Sequence, residues 1–438
     1  MIAYCRVSFK CLVIVLGFVF YAQGQGHQES KTFVFGTIPS DTDAIHLGST
    51  LTYDASLGYG FDFATAHNAI FHNNGFTTSA PVYFSVKLPE GNYSIEIVLG
   101  SDEQDSETTV KAESRRLMLR EFKVPKEGRT TKTFMVNVRT PQIDKENRID
   151  TKERELNYLN WDDKLTLEFL GKVAVQSVKV TSVENIKTIF LAGDSTVTDQ
   201  DLEPWASWGQ FITLYFNDDV SIANFAESGA SLSSFKARKR LDKILSLIRP
   251  SDYVIIEFAH NDEKRKGEGI GPWQSYTDLL KEFITSFREK GGVPILVTPV
   301  QRRAFTATGK LKPTHGDYPD AMRATAKKLN VPVIDLTLMT TTLYESWGDA
   351  ESRKAFVQYP AHTFPGQDKA LEDNTHFNNF GAHEIALCVV QGIKDLDLEV
   401  AQYLQKDIPS YDARVPGKAS DWTLPMSQRF EPVKPDGN

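Results

Sequence analysis

At 438 residues the chain is too long for one ordinary core, so two domains are the default expectation. A hydrophobic content of 41% and a charged content of 24% are those of a folded globular protein and exclude a disordered chain. The formal charge of −8 excludes generic nucleic-acid binding, which depends on a basic footprint.

Arg6 and Lys10 flank a short apolar run, Cys11 to Phe20, and the small residues of Ala22-Gln-Gly24 follow. The run is too short for a comfortable membrane span and has the layout of a removable signal peptide over 1–24. A secreted or periplasmic protein is therefore expected, with no membrane insertion after signal removal. Loss of Arg6 and Lys10 takes the charge from −8 to −10. Cys5 and Cys11 leave with the signal, so Cys388 stands alone, no internal disulfide is expected, and the residue reads as a small core side chain.

Between 30 and 183 the pattern is one of short strands. Val82 to Leu88, Tyr93 to Val98, Phe134 to Val138, Leu165 to Phe169 and Val173 to Val180 alternate apolar and polar residues between Gly, Pro, Asn and Asp punctuation. Such a run without a long helix predicts an all-β antiparallel sandwich. The charged, aperiodic stretch Asp144 to Glu155 reads as a loop. The acidic cluster Asp102, Glu103, Asp105 and Glu107 reads as a solvated loop, with calcium binding as the alternative.

After Val183 the period changes. Short apolar runs at 188–192, 220–223, 252–258, 293–297 and 331–335 alternate with helical stretches. The clearest helix spans 277–288, apolar at 279, 280, 283, 284 and 287, and stops at Gly291-Gly292. Buried strands alternating with helices predict an α/β domain over 184–400 with a parallel, doubly wound sheet, whose ligands sit outside the carboxyl ends of the strands. A polar, Pro-containing tail closes the chain over 401–438. No internal repeat is visible.

Four segments at those strand ends carry chemistry: Gly193-Asp-Ser195, Asn224 to Ala230, Ala259-His-Asn-Asp262, and Asp373-Asn-Thr-His376 ahead of a last helix at about 379–394. A serine hydroxyl needs a base to take its proton, a histidine supplies one near neutral pH, and a carboxylate fixes its tautomer. A tetrahedral intermediate then needs donors at its oxyanion, and the amides of Ser195 and Gly229 with the side chain of Asn261 are the candidates. Each fragment alone is weak. Asp43-Ala-Ile-His46 repeats the Asp-x-x-His spacing in the strand-rich half with no nucleophile beside it, and reads as an ordinary loop. The joint order along the chain is what points to an ester hydrolase.

These blocks resemble the SGNH (GDSL) hydrolases. More narrowly, Leu191 to Val197, Asn224 to Ala230, Glu257 to Asp262, Asp373 to Asn378 and Trp208-Gly-Gln210 look like the rhamnogalacturonan acetylesterases. The resemblance covers about 187–395. It implies a flavodoxin-like three-layer sandwich, with Ser195 as nucleophile, His376 as base and Asp373 as its partner. It further implies an oxyanion hole of Ser195, Gly229 and Asn261, and metal-independent chemistry without a cofactor. The family usually has glycine where this chain has Ala259, and alanine in a left-handed backbone would be strained by about 1–2 kcal/mol. The front half resembles galactose-binding-like sandwiches, with glycan contact, a wall of the cleft or a plain spacer as its roles.

The substrate that this resemblance implies is an acetylated plant polysaccharide, with acetylated xylan as an alternative and a non-catalytic glycan-binding protein as the alternative from another class. A pectic polyanion requires local positive charge on an acidic protein. Arg302 and Arg303, which follow a strand, are candidates to pair with a uronate, and Lys236 to Arg240 reads as a solvated helix face. Trp205 and Trp208 are candidates for sugar stacking or for core. The oligomeric state is left open.

Overall fold

The structure, a computed structural model, describes residues 29–38 and 43–436. The expected signal, with Cys5 and Cys11, lies outside them. Among the described residues no helix is long and apolar enough to cross a membrane.

The front unit is built around one long strand, Lys164–Ser182. Its first half pairs antiparallel with Val82–Lys87 and Ser106–Ala112, and its second half with Gly91–Leu99, Gly75–Thr78 and Ser30–Phe35. The sequence reads this span as two strands, but the chain passes Gly171 without a break. That glycine has φ +94°, and a Cβ on it would lie 2.6 Å from Glu107 O, so only glycine lets one strand serve both groups of partners. The expected antiparallel pairing is broken by the parallel pair of Ser30–Phe35 with Ile45–Leu47 and by a parallel bridge between Thr52 and Phe61. Between the strands lies an aromatic core in which Phe35 meets Phe76 and Phe84 edge-on at 5.0 and 5.3 Å.

In the second unit five parallel strands, Lys187–Gly193, Val220–Asn224, Tyr253–Glu257, Val293–Val297 and Val333–Ile334, stand in the spatial order 2-1-3-4-5 counted along the chain. Alternate side chains face opposite layers. Ile189 and Leu191 pack with the helices Trp208–Phe211, Leu336–Ser352 and Asn379–Asp395. Phe190 and Ala192 pack with Leu232–Ala237, Arg240–Leu247, Thr277–Glu289 and Tyr318–Leu329. The 277–289 helix buries Leu280, Phe283, Ile284 and Phe287, the stripe its period predicts, and Cys388 is buried in the last helix.

The two units share buried surface. The turn Glu113 to Arg116 of the front unit enters the second one behind the strand ends. There Arg115 Nη1 donates to Trp205 O at 2.7 Å, Ser114 Oγ to Asp201 Oδ1 at 2.6 Å, and Gln210 Nε2 to Ser114 O at 2.8 Å. Arg116 and Arg139 both reach Asp199, at 3.1 and 3.2 Å. The stretch read as a loop, Asp144 to Glu155, runs at its end into a short 3-10 helix, Glu153–Asn157, and buries Glu155 against Arg240. Arg240, expected on a solvated face, is fully buried because Glu155 and Glu227 take its charge, whereas Lys236 does pair at the surface with Glu282. In the acidic cluster Asp102 pairs with Arg129 and Glu107 with Lys123.

Glu203 concentrates this interface. Its carboxylate is 2.6 Å from Arg115 and 3.4 Å from Lys111, both buried, and also accepts from Asn379 and the Ser427 amide. Removing one partner of a buried pair strands the other charge. Glu203→Ala should therefore lower unfolding free energy by about 3–5 kcal/mol in urea denaturation, far more than an exposed acid would.

Candidate active site

The strand Lys187–Gly193 delivers Ser195 to the carboxyl edge of the sheet. A Cβ on Gly193 would fall 2.5 Å from Val197 Cγ2, so glycine is required for the chain to fold back here. The turn is closed by Val197 N and Thr198 N donating to Asp194 O, and by the Thr196 amide donating to Asp194 Oδ1. Gln200 Nε2 donates to Ser195 O at 2.8 Å and fixes the serine backbone from the loop that the front unit clamps.

Asp373 and His376 stand ahead of the last helix, as the sequence reads them. They lie on a strand, Leu371–Phe377, which pairs antiparallel with Phe356–Tyr359 immediately before the last helix. Asp373 Oδ1 accepts from the amides of Thr375 and His376, at 2.7 and 3.0 Å, and this local turn brings both side chains to one side. His376 Nδ1 is 2.7 Å from Asp373 Oδ2, and His376 Nε2 is 2.8 Å from Ser195 Oγ. With its proton on Nδ1, donated to Asp373, the imidazole presents a lone pair to the Ser195 hydroxyl. Burial works against charge on Asp373, but the hydrogen bonds from His376 and from two backbone amides outweigh it and hold the carboxyl at about 2.

Gly229 has φ +81°, a conformation that favours glycine. Among the described residues neither its amide nor that of Ser195 donates to a protein acceptor, which leaves both available to an oxyanion. Asn261 Nδ2 donates one N–H to Ala230 O at 3.0 Å and retains the other. Ala259 is buried and its backbone is not left-handed, so the strain weighed for alanine at that position does not arise. Hydrogen bonds thus join three of the positions the sequence singled out, Ser195, His376 and Asp373, while Asn261 is tied to Ala230 next to Gly229.

The substrate-binding candidates fare differently. Trp208 is fully buried and donates to Glu257 Oε2 at 2.6 Å, so it offers no face to a sugar. Trp205 is 3% exposed, sits edge-on to His376 at 6.0 Å and donates to Glu431 O, which makes it a wall of the histidine site. Arg303 spends its donors on Ser352, Asn374 and Asp349, and Arg302 pairs with Glu263 at 2.5 Å. Both arginines are already neutralised by the protein, so neither is a free partner for a uronate. Asp43-Ala-Ile-His46 lies beside the first strand of the front unit, with His46 paired to Val34. Sequence reasoning missed Gln200 and the Asp199–Arg116–Arg139 cluster, because no motif marks a side chain that acts only through tertiary contact.

A strand-end serine hydrogen-bonded to a histidine and an aspartate on a doubly wound sheet is an arrangement able to carry out acyl transfer. Residues 191–383 match the model of the GDSL-like lipase/acylhydrolase family, and the chain belongs to it as a carboxylic ester hydrolase. It is 44% identical over 218 residues to rhamnogalacturonan acetylesterase RhgT of Bacillus subtilis (strain 168), covering 49% of this chain and 93% of that protein. Its identity to the probable rhamnogalacturonan acetylesterase YesY of the same organism is 34% over 222 residues, 50% of this chain and 98% of that one. The solved structure of Bacillus subtilis YxiM aligns with 85% of this chain and 99% of that one, at 22% identity and a TM-score of 0.46.

Asp373 ionises more readily folded than unfolded, so its contribution is present above the usual carboxylate value near 4 and is lost as pH falls through about 2. Asp373→Asn should accordingly be less stable than the parent at pH 6 by about 2 kcal/mol. Thermal or urea melts between pH 6 and 2 should show that gap closing towards the acid end.

Proposed function

We propose that the protein removes acetyl groups from acetylated rhamnogalacturonan through Ser195, His376 and Asp373. The observation that carries this reading is the continuous hydrogen-bond relay from Asp373 through His376 to Ser195 Oγ. The pectic substrate draws its support from the similarity to two rhamnogalacturonan acetylesterases. The segment 1–24, read as a signal, puts the reaction outside the cytoplasm.

In this scheme Ser195 Oγ attacks the acetyl carbonyl carbon while His376 Nε2 takes its proton. Asp373, kept ionised by its hydrogen bonds, stabilises the imidazolium that results. The amides of Ser195 and Gly229 and the Asn261 side chain receive the oxyanion. The tetrahedral intermediate collapses, His376 returns the proton to the leaving sugar oxygen, and Ser195 carries the acetyl group. Water then attacks with His376 as base, and acetate leaves. The front unit, which we read as a galactose-binding-like sandwich, acts as a wall that holds the Ser195 loop in place.

Acetate release from acetylated pectin is the test. Ser195→Ala should lower turnover by roughly 10⁴-fold or more, since the nucleophile is gone while the fold remains. Turnover near that of the parent would end the assignment. Faster release from acetylated xylan than from acetylated pectin would move the substrate away from pectin and leave the chemistry standing.

A further inference from the structure

Ser195, His376 and Asp373 are only 2%, 1% and 1% exposed, although an ester on a polymer has to reach them. The cover comes from the chain's own segment 427–436. Ser427 Oγ donates to Glu168, Arg429 pairs with Asp201 at 2.5 Å, and Phe430 lies 4.8 Å from Phe364. Glu431 O accepts from Trp205, and Lys434 Nζ lies 3.5 Å from Asp373 Oδ2. Beyond Lys434 the segment crosses the oxyanion side of the site. A Cβ on Gly229 would lie 2.9 Å from Asp436 Cβ and 3.3 Å from Lys152 Nζ.

The Asp436 carboxylate is what this segment sets there. Its Oδ2 is 3.1 Å from Lys152 Nζ and its Oδ1 is 3.6 Å from Arg154 Nη1. Both cations come from the front unit and are fixed from behind. Lys152 Nζ donates to Ser228 O at 2.7 Å and pairs with Glu227 at 2.8 Å, and Arg154 Nη2 reaches Ser228 O at 3.5 Å. Arg154 Nε is buried without a hydrogen-bond partner. Behind them Arg240 is shared by Glu155 and Glu227. Lys152, Arg154 and Arg240 thus face two fixed acids, one positive charge remains, and Asp436 meets it. A carboxylate is the ligand this arrangement is built to hold.

We propose that Lys152 and Arg154 form a subsite for a uronate carboxylate of the substrate, beside the oxyanion glycine, and that Asp436 is an internal occupant which an incoming acidic glycan displaces. The inference rests on the pectic reading above and adds to it the residues that select an acidic chain. It also explains how an acidic protein binds a polyanion. The attraction is local, and Asp436 screens it until substrate arrives. An internal competitor lowers the apparent affinity of an external one by the fraction of time the subsite is filled.

The test uses the full chain, with p-nitrophenyl acetate as reporter ester and trigalacturonate as competing anion. Parent, Asp436→Asn and Arg154→Gln proteins are compared by inhibition constant, with neutral carboxyl-reduced trisaccharide as control. Asp436→Asn should tighten trigalacturonate inhibition by about 3- to 10-fold, and Arg154→Gln should weaken it by a similar factor, with the control unmoved. A protein lacking residues 432–438 provides a second route and should follow Asp436→Asn. Equal constants in parent, Asp436→Asn and Arg154→Gln, or no inhibition in any of them, would overturn the subsite. Failure of the parent to release acetate from acetylated pectin while still hydrolysing p-nitrophenyl acetate would instead sink the pectic reading, so the two failures are read on different substrates.

Discussion

Three acids on the loop behind Ser195 lie buried, and each is neutralised from outside the sheet that carries the serine. Asp199 meets Arg116 and Arg139, Glu203 meets Arg115 and Lys111, and Asp201 meets Ser114 and Arg429. A buried carboxylate without a partner is strongly penalised, so the loop adopts this path only when the front unit and the final segment are in place. Gln200 stands between these acids and holds the Ser195 carbonyl. The serine's position therefore depends on charge pairing across two units, and the front unit is part of the site's frame.

The relay itself depends on distant parts of the chain meeting at one rim. Ser195 follows a strand that stands second from one edge of the doubly wound sheet, and Gly229 follows the edge strand beside it. Asp373 and His376 come from a small separate pair of strands ahead of the last helix. That helix buries Ile385, Val389 and Ile393 in the same layer as Ile189 and Leu191. Packing of that layer thus sets the imidazole against the hydroxyl, and burial makes each hydrogen bond in the relay stronger than it would be in water.

Much of this was legible in the residues. Alternating strands, the 3.6-residue period of 277–289 and the ordered blocks around Ser195, Gly229, Asn261 and His376 follow from local rules of backbone and chemistry. The misreadings share one cause. Arg240 and Arg303 look like surface residues to a composition rule, yet each is buried because a partner distant in sequence satisfies it: Glu155 and Asn374 respectively. The strand that carries Asp373 was not legible in the residues because its partner, Phe356–Tyr359, pairs across a short and irregular register.

The sequence by itself determined the periods of both halves, the ordered blocks that carry Ser195, Asp373 and His376, and the glycine at 229, since these follow from residue type and near neighbours. Only the tertiary structure decided which charges are free and which are spent, and that the segment 427–436 packs over the site. Pairing energies depend on distances between atoms that lie far apart along the chain, and no local pattern encodes them.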